Sequence, residues 1–305
     1  VARHDAADLA VNLPHGVTGI HVLPADHHDG PWESIIVPPA TKERLLGTAV
    51  LVLRHGRALR ELSGPPHGLV VLAGPPGTGK TTLCQGLAQK AAMAVARRGA
   101  TTLVEVDPHA FPSELLGESQ RAVRRLFAET LPELAARRPH TVVLVDEVEA
   151  LAVRRSTASF ETNPVDVHRA TDAVLAGLDT LRAACPHVLL LATTNFTQGV
   201  DEAFLSRADL VLRLDLPDAD VLARIIRSSL AELATLWPPL RGLAEDDALH
   251  AKLAGACAGF DGRWTRKAIL AAVAARPELA EDPAALTEAD LMAAVESRQV
   301  STTPL

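Results

Sequence analysis

Five short apolar runs stand apart from the longer stretches between them. They lie at 69–73, 101–106, 141–145, 188–192 and 210–214, and Val and Leu dominate them. Most are continuous rather than alternating, which is how strands covered on both faces of a parallel sheet read. The stretches 81–97, 118–136 and 167–182 between them carry helical periodicity instead. Strand–helix alternation of this kind predicts a doubly wound α/β domain around a five-stranded parallel sheet. After Pro217 the strand signal stops, and 219–237, 244–258, 262–275 and 287–299 all read as helices. Thr287 and Asp290 form a capping box for the last of them. The predicted organisation is an N-terminal arm at 1–31, a large α/β domain at 32–217, a small all-helical domain at 218–299 and a tail at 300–305. The arm is rich in His, Asp, Pro and Gly and has little periodicity.

Composition narrows the classes. Hydrophobic residues make up 48% of the 305, with no Tyr and three Trp, so a sizeable aliphatic core is expected and disorder is not. No apolar run approaches the length of a membrane span, and none reads as a secretory signal. The three cysteines, Cys84, Cys185 and Cys257, are far apart and form no CxxC pair. That pattern fits neither a disulfide framework nor a zinc site, and free thiols in a reducing cytoplasm are the expectation. The formal net charge of −7 disfavours broad nucleic-acid binding. The Asp26-His27-His28-Asp29 cluster has metal-ligand chemistry, but no second ligand group stands at a recognisable spacing, so a solvated turn is the plainer reading.

Three of the apolar runs end in residues that carry chemistry. The first leads into Gly74-Pro75-Pro76-Gly77-Thr78-Gly79-Lys80-Thr81, with Thr82 following, at the opening of a helix. Strand, glycine-rich loop and helix in that order make a P-loop. The glycines let backbone N–H groups turn inward on phosphate oxygens, and the helix N-terminus adds partial positive charge. Lys80 reaches the β- and γ-phosphates of ATP, and Thr81 offers a hydroxyl to Mg2+. The run at 141–145 ends in Asp146-Glu147. Asp146 would hold magnesium through water, and Glu147 would orient and polarise the attacking water. Both lie at the edge of the sheet where ligands of open α/β folds collect. A glutamate beside the aspartate favours hydrolysis over transfer to a small acceptor. The run at 188–192 leads to Thr193-Thr194-Asn195. Asn195 either bonds the attacking water or the γ-phosphate, or caps a turn.

Taken together, the loop, the acidic pair, Asn195 and the helical tail resemble an AAA+ ATPase over roughly residues 32–299. The resemblance implies a homo-oligomeric ring, commonly a hexamer, with ATP between neighbours. It implies a trans-acting arginine in Asp201-Glu202-Ala203-Phe204-Leu205-Ser206-Arg207-Ala208-Asp209, where Arg207 stands alone in a shortened segment. It also implies a sensor arginine, Arg263, in Gly259-Phe260-Asp261-Gly262-Arg263. The segment 163–175, the short turn at 207–209, and Gly262-Arg263 followed by Arg266-Lys267 are similar to the pachytene-checkpoint AAA+ family, remodellers of HORMA-domain proteins. Bacterial relatives of that family occur beside HORMA-domain and nucleotidyltransferase genes in antiphage signalling. Two departures stand out. The N-terminal arm is short, and the pore-loop stretch has Leu115 and Leu116 where an aromatic is common. The competing readings are a nucleic-acid motor or clamp-loader-like ATPase, and a P-loop kinase of small molecules. Net charge opposes the first, and Glu147, Asn195 and the helical lid oppose the second.

Overall fold

The computed structural model describes residues 13–25, 30–111, 117–152, 164–195 and 197–302. The strands are β1 (Val17–Leu23), β2 (Leu69–Ala73), β3 (Thr101–Val106), β4 (His140–Val145), β5 (Val188–Thr194) and β6 (Leu210–Arg213). The helices of the sheet-bearing part are α1 (Gly30–Ser34), α2 (Pro39–Leu59), α3 (Lys80–Val95), α4 (Glu118–Arg125), α5 (Leu131–Ala136), α6 (Pro164–Ala184) and α7 (Glu202–Leu205). Beyond β6 come α8 (Ala219–Leu236), α9 (Arg241–Glu245), α10 (Asp247–Ala256), α11 (Gly262–Val273), α12 (Pro277–Glu281) and α13 (Glu288–Thr302).

The strands form one sheet in the order β1-β3-β4-β5-β2-β6. Every neighbouring pair is parallel except β1 with β3, which is antiparallel. The α/β class stands, but the strand count is corrected from five to six among the described residues. The additional strand comes from the stretch read as an arm. β1 has one neighbour and buries only Val17, Gly19 and Leu23. An edge strand need not be apolar on both faces, so it leaves no continuous hydrophobic run.

The continuous runs have a direct cause in the two faces. Leu69 and Val71 of β2 pack in one core with Val143 and Val145 of β4, Leu190 of β5 and Leu178 and Leu181 of α6. Val70 and Leu72 pack in a second core with Val142, Leu144, Leu189 and Leu191, under α2 and α3. Successive side chains of a strand point to opposite faces, and here both faces are dry. Each fully buried Val or Leu adds about 1.5–3 kcal/mol. The predicted helix 118–136 is interrupted by a π-turn at Leu126–Thr130, just before Pro132. Proline has no N–H to close the α-helical bond, which widens the turn.

The chain divides into two compact units. One holds the described residues before 75 together with 80–214, and the other holds 75–79 together with the described residues from 215 on. The second unit has its own core, with Leu222, Ile226 and Leu230 of α8 against Leu253, Ile269, Leu291 and Val295. At the start of α13 the Thr287 N–H donates to Asp290 Oδ2 at 3.0 Å, the capping box read from the sequence. No helix among the described residues is long and apolar enough to cross a membrane.

Candidate active site

Within the first unit, three strand ends converge on one point. β2 runs out at Gly74, whose N–H donates to the Thr194 carbonyl at 3.1 Å. A Cβ on Gly74 would lie 2.0 Å from the Leu214 carbonyl oxygen, so no other residue fits beside β6. Gly79 has φ +89°, a conformation that other residues adopt only under strain. The helix α3 starts at Lys80, which is buried, with Nζ donating to the Gly74 carbonyl at 2.8 Å. Thr81 follows, and its hydroxyl donates to Asp146 Oδ1 at 2.8 Å.

Asp146 and Glu147 leave the end of β4. Asp146 Oδ1 also accepts the Thr193 hydroxyl, so two threonines converge on one carboxylate oxygen. Glu147 has φ +56° and is the only non-glycine residue of positive φ among those described. This left-handed conformation costs about 1–2 kcal/mol. The Glu147 N–H donates to Thr193 Oγ1 at 3.0 Å, which helps to hold the strained backbone. Both carboxylate oxygens of Glu147 are engaged. Oε1 accepts Asn195 Nδ2 at 2.8 Å, and Oε2 lies 3.2 Å from His109 Nε2. Asn195 is itself steered, because its N–H donates to Glu149 Oε1 at 3.0 Å.

Thr81, Asp146, Glu147 and His109 face a cleft of about 310 Å³, whose wall also includes Thr18 of β1, Gln85 of α3 and Glu105 of β3. Gln85 Nε2 donates to Glu105 Oε1 at 3.1 Å. No sequence motif points to a role for His109, Thr193 or Glu149. Thr193 lies in a run noted for its polar end, whereas nothing in the spacing points to His109. Cys84, behind the cleft, is buried, and burial with the nearby Asp146 charge pushes its thiol well above the usual range. It is an inert core thiol.

The oxygen donors fit magnesium. Thr81 and Asp146 supply a hydroxyl and a carboxylate within bonding distance of each other. Among the described residues no cluster of three or more His, Cys, Asp or Glu could hold a metal by itself. Magnesium is usually held in this way, by one or two protein oxygens with water and phosphate completing the shell.

Arg207 is in the turn before β6, paired with Asp179 through Nε at 3.0 Å and Nη2 at 2.9 Å. In the second unit, the Arg263 N–H at the exposed first turn of α11 donates to the Gly77 carbonyl at 3.3 Å. Thr78, also in that unit, donates through its hydroxyl to Pro75 O at 2.9 Å. Leu115, Leu116 and the cluster at 26–29 lie outside the described residues.

Residues 70–216 match the family model described as ATPase family associated with various cellular activities (AAA). CD-NTase-associated protein 6 of Pseudomonas aeruginosa is 42% identical over 283 residues, covering 93% of this chain and 92% of that protein. The pachytene checkpoint protein 2 homolog of Arabidopsis thaliana is 38% identical over 217 residues, and the match spans 46% of its length. Among solved structures, the E. coli MS115-1 HORMA:CdnC:Trip13 complex contains a chain that superposes with a TM-score of 0.74 at 20% identity, covering 95% of this chain and 96% of that one.

Proposed function

Because the chain belongs to the AAA family of ATPases, alongside CD-NTase-associated protein 6 and the pachytene checkpoint proteins, we propose that it hydrolyses ATP with magnesium to remodel a HORMA-domain protein in bacterial antiphage signalling. The observation that carries the ATPase reading is the held Glu147, with Asn195 on one oxygen and His109 on the other, one residue from Asp146. Thr81 and Asp146 would hold magnesium, which would supply positive charge against the phosphates. Lys80 leaves the Gly74 carbonyl for the phosphate oxygens. Glu147 takes a proton from water as the water oxygen attacks the γ-phosphorus, and ADP departs with the electrons of the broken bond. Asn195 keeps the carboxylate aimed. Arg263 is proposed as a further cation for the γ-phosphate.

Arg207 is proposed to act on the nucleotide of a neighbouring copy in a ring, the hexamer that the resemblance implies. The Arg207 turn meets β2 at Leu69, through the Asp209 N–H to the Leu69 carbonyl at 2.8 Å. The cradle begins at Gly74, about 16 Å further along the strand at roughly 3.3 Å per residue. That separation is longer than an arginine side chain and supports a target other than its own phosphates. Support for the HORMA partner is the near full-length match to CD-NTase-associated protein 6 and the fold shared with a chain of the HORMA:CdnC:Trip13 complex. Leu115 and Leu116 are proposed to grip the partner by apolar contact. Cytoplasmic location goes with this reading.

The test uses the purified chain and the HORMA-domain protein encoded nearest to it. ATP turnover should need magnesium and rise with the HORMA protein, which should convert between its closed and open states. Glu147→Gln should bind ATP and lose about 10²–10⁴-fold of turnover. Near-normal turnover in that variant would remove Glu147 from the mechanism. A HORMA protein that neither binds nor changes state would sink the partner while leaving the ATPase.

A further inference from the structure

Arg207 is held at both its backbone and its side chain. Two residues on, the Asp209 carboxylate accepts the N–H groups of His67, Gly68 and Leu69 at 2.9, 2.6 and 3.1 Å. That pins the turn to the start of β2. The guanidinium is then fixed by three bonds: Nε and Nη2 to the two oxygens of Asp179 on α6, and Nη1 to the Ala203 carbonyl at 2.8 Å. An arginine has five N–H donors in one plane. Three are used here, which leaves one on each terminal nitrogen. Asp179 is half exposed and the Arg207 side chain a quarter exposed, so the pair is at the surface.

The surroundings favour an ionised Asp179. Its carboxyl is held below the usual carboxylate range by the Arg207 bonds, and the charges of His67 and Arg182 act in the same direction. His67 Nε2 is 3.6 Å from Asp179 Oδ1, and Arg182 donates through Nη2 to the Pro65 carbonyl at 2.7 Å. A side-on, two-toothed carboxylate fixes the plane of a guanidinium as well as its position. A long side chain that must otherwise search its rotamers is thereby set before a phosphate arrives.

We propose that Asp179 is a positioning residue, which holds Arg207 side-on so that its remaining N–H groups meet the phosphates of a nucleotide bound by a second copy of this chain. The inference rests on Arg207 acting in trans, as proposed above.

The experiment measures ATP turnover, ATP affinity and assembly state for the full chain, Asp179→Asn, Arg207→Ala and the double variant. Arg207→Ala should lower kcat by about 10³-fold or more. Asp179→Asn should lower kcat by up to about 10²-fold with ATP affinity unchanged. The double variant should be no slower than Arg207→Ala alone, because the two residues act as one device. Mixing Asp179→Asn with Glu147→Gln should restore turnover, since some interfaces then join a sound Glu147 to a sound Arg207. Multiplicative losses in the double variant, or no rescue on mixing, would assign Asp179 a merely structural role. Wild-type or raised turnover in Asp179→Asn, with Arg207→Ala inactive, would overturn positioning and leave the finger. Full turnover in Arg207→Ala would overturn the finger and the inference with it. If Asp179→Asn does not fold, Asp179→Glu keeps the charge, displaces the fork and takes its place in the same comparison.

Discussion

A methyl group at Gly74 has nowhere to go, because the Leu214 carbonyl stands 2.0 Å from the Cβ position. Gly74→Ala should therefore force β2 and β6 apart, at about 1–3 kcal/mol or more of stability. ATP affinity should collapse in parallel. A denaturant midpoint measured without nucleotide, beside an ATP titration, checks both, and an unchanged midpoint would mean that the loop steps aside freely. The glycine pattern, Lys80 and Thr81 were legible because strand, glycine-rich loop and helix follow one another there, and the acidic pair because it ends a continuous apolar run. His109 was not, because it meets Glu147 from a 3-10 turn after another strand, 38 positions away. The left-handed backbone of Glu147 also has no signature in a residue type that usually avoids it.

Among the elements, the lower ends of two central strands carry a weakness. His140 opens β4 and His187 precedes β5, and both are buried. Burial first, then Arg98 and Arg57 for His140 and Arg57 for His187, hold both imidazoles below their usual 6.5. The unfolded chain takes up protons near pH 6.5 that the native state resists, so the contribution is fully present above that pH. It is lost as the pH falls through the depressed native values. Denaturant midpoints from pH 8 to 5 should fall below about pH 6.5, and a His140→Gln, His187→Gln variant should fall less. Equal slopes would count against the two histidines. The buried strands were legible because both their faces are apolar, while β1 was hidden by having one covered face and one neighbour. In α2 the buried positions 45, 49, 52, 53 and 56 have helical spacing, but Gly47 and His55 dilute the pattern.

At the scale of the whole molecule, the proposed trans role of Arg207 would make turnover a property of paired copies rather than of one chain. Arg207→Ala and Glu147→Gln should each be slow alone, and mixing them should restore part of the turnover. Random mixing leaves only some interfaces sound, so rescue stays well below wild type. A monomer with full activity at high dilution would defeat the idea. The family was legible because its motifs sit on separate strands that the fold must bring together. The partner and the number of copies were not, since the surfaces that meet other chains carry no fixed period or spacing.

The edge position of β1 has a consequence for the newborn chain. Its register runs from Val17 opposite Val106 to Leu23 opposite Thr101, so its partner is translated about 80 residues later. At about 5–20 residues per second, β1 leaves the ribosome several seconds before β3 exists. An exposed hydrophobic strand with that wait would pair with other nascent chains. Thr18, Gly19 and His21 make β1 a poor partner for them. The same polarity that conceals it in the hydrophobic pattern lets it remain solvated until the strand it covers is made.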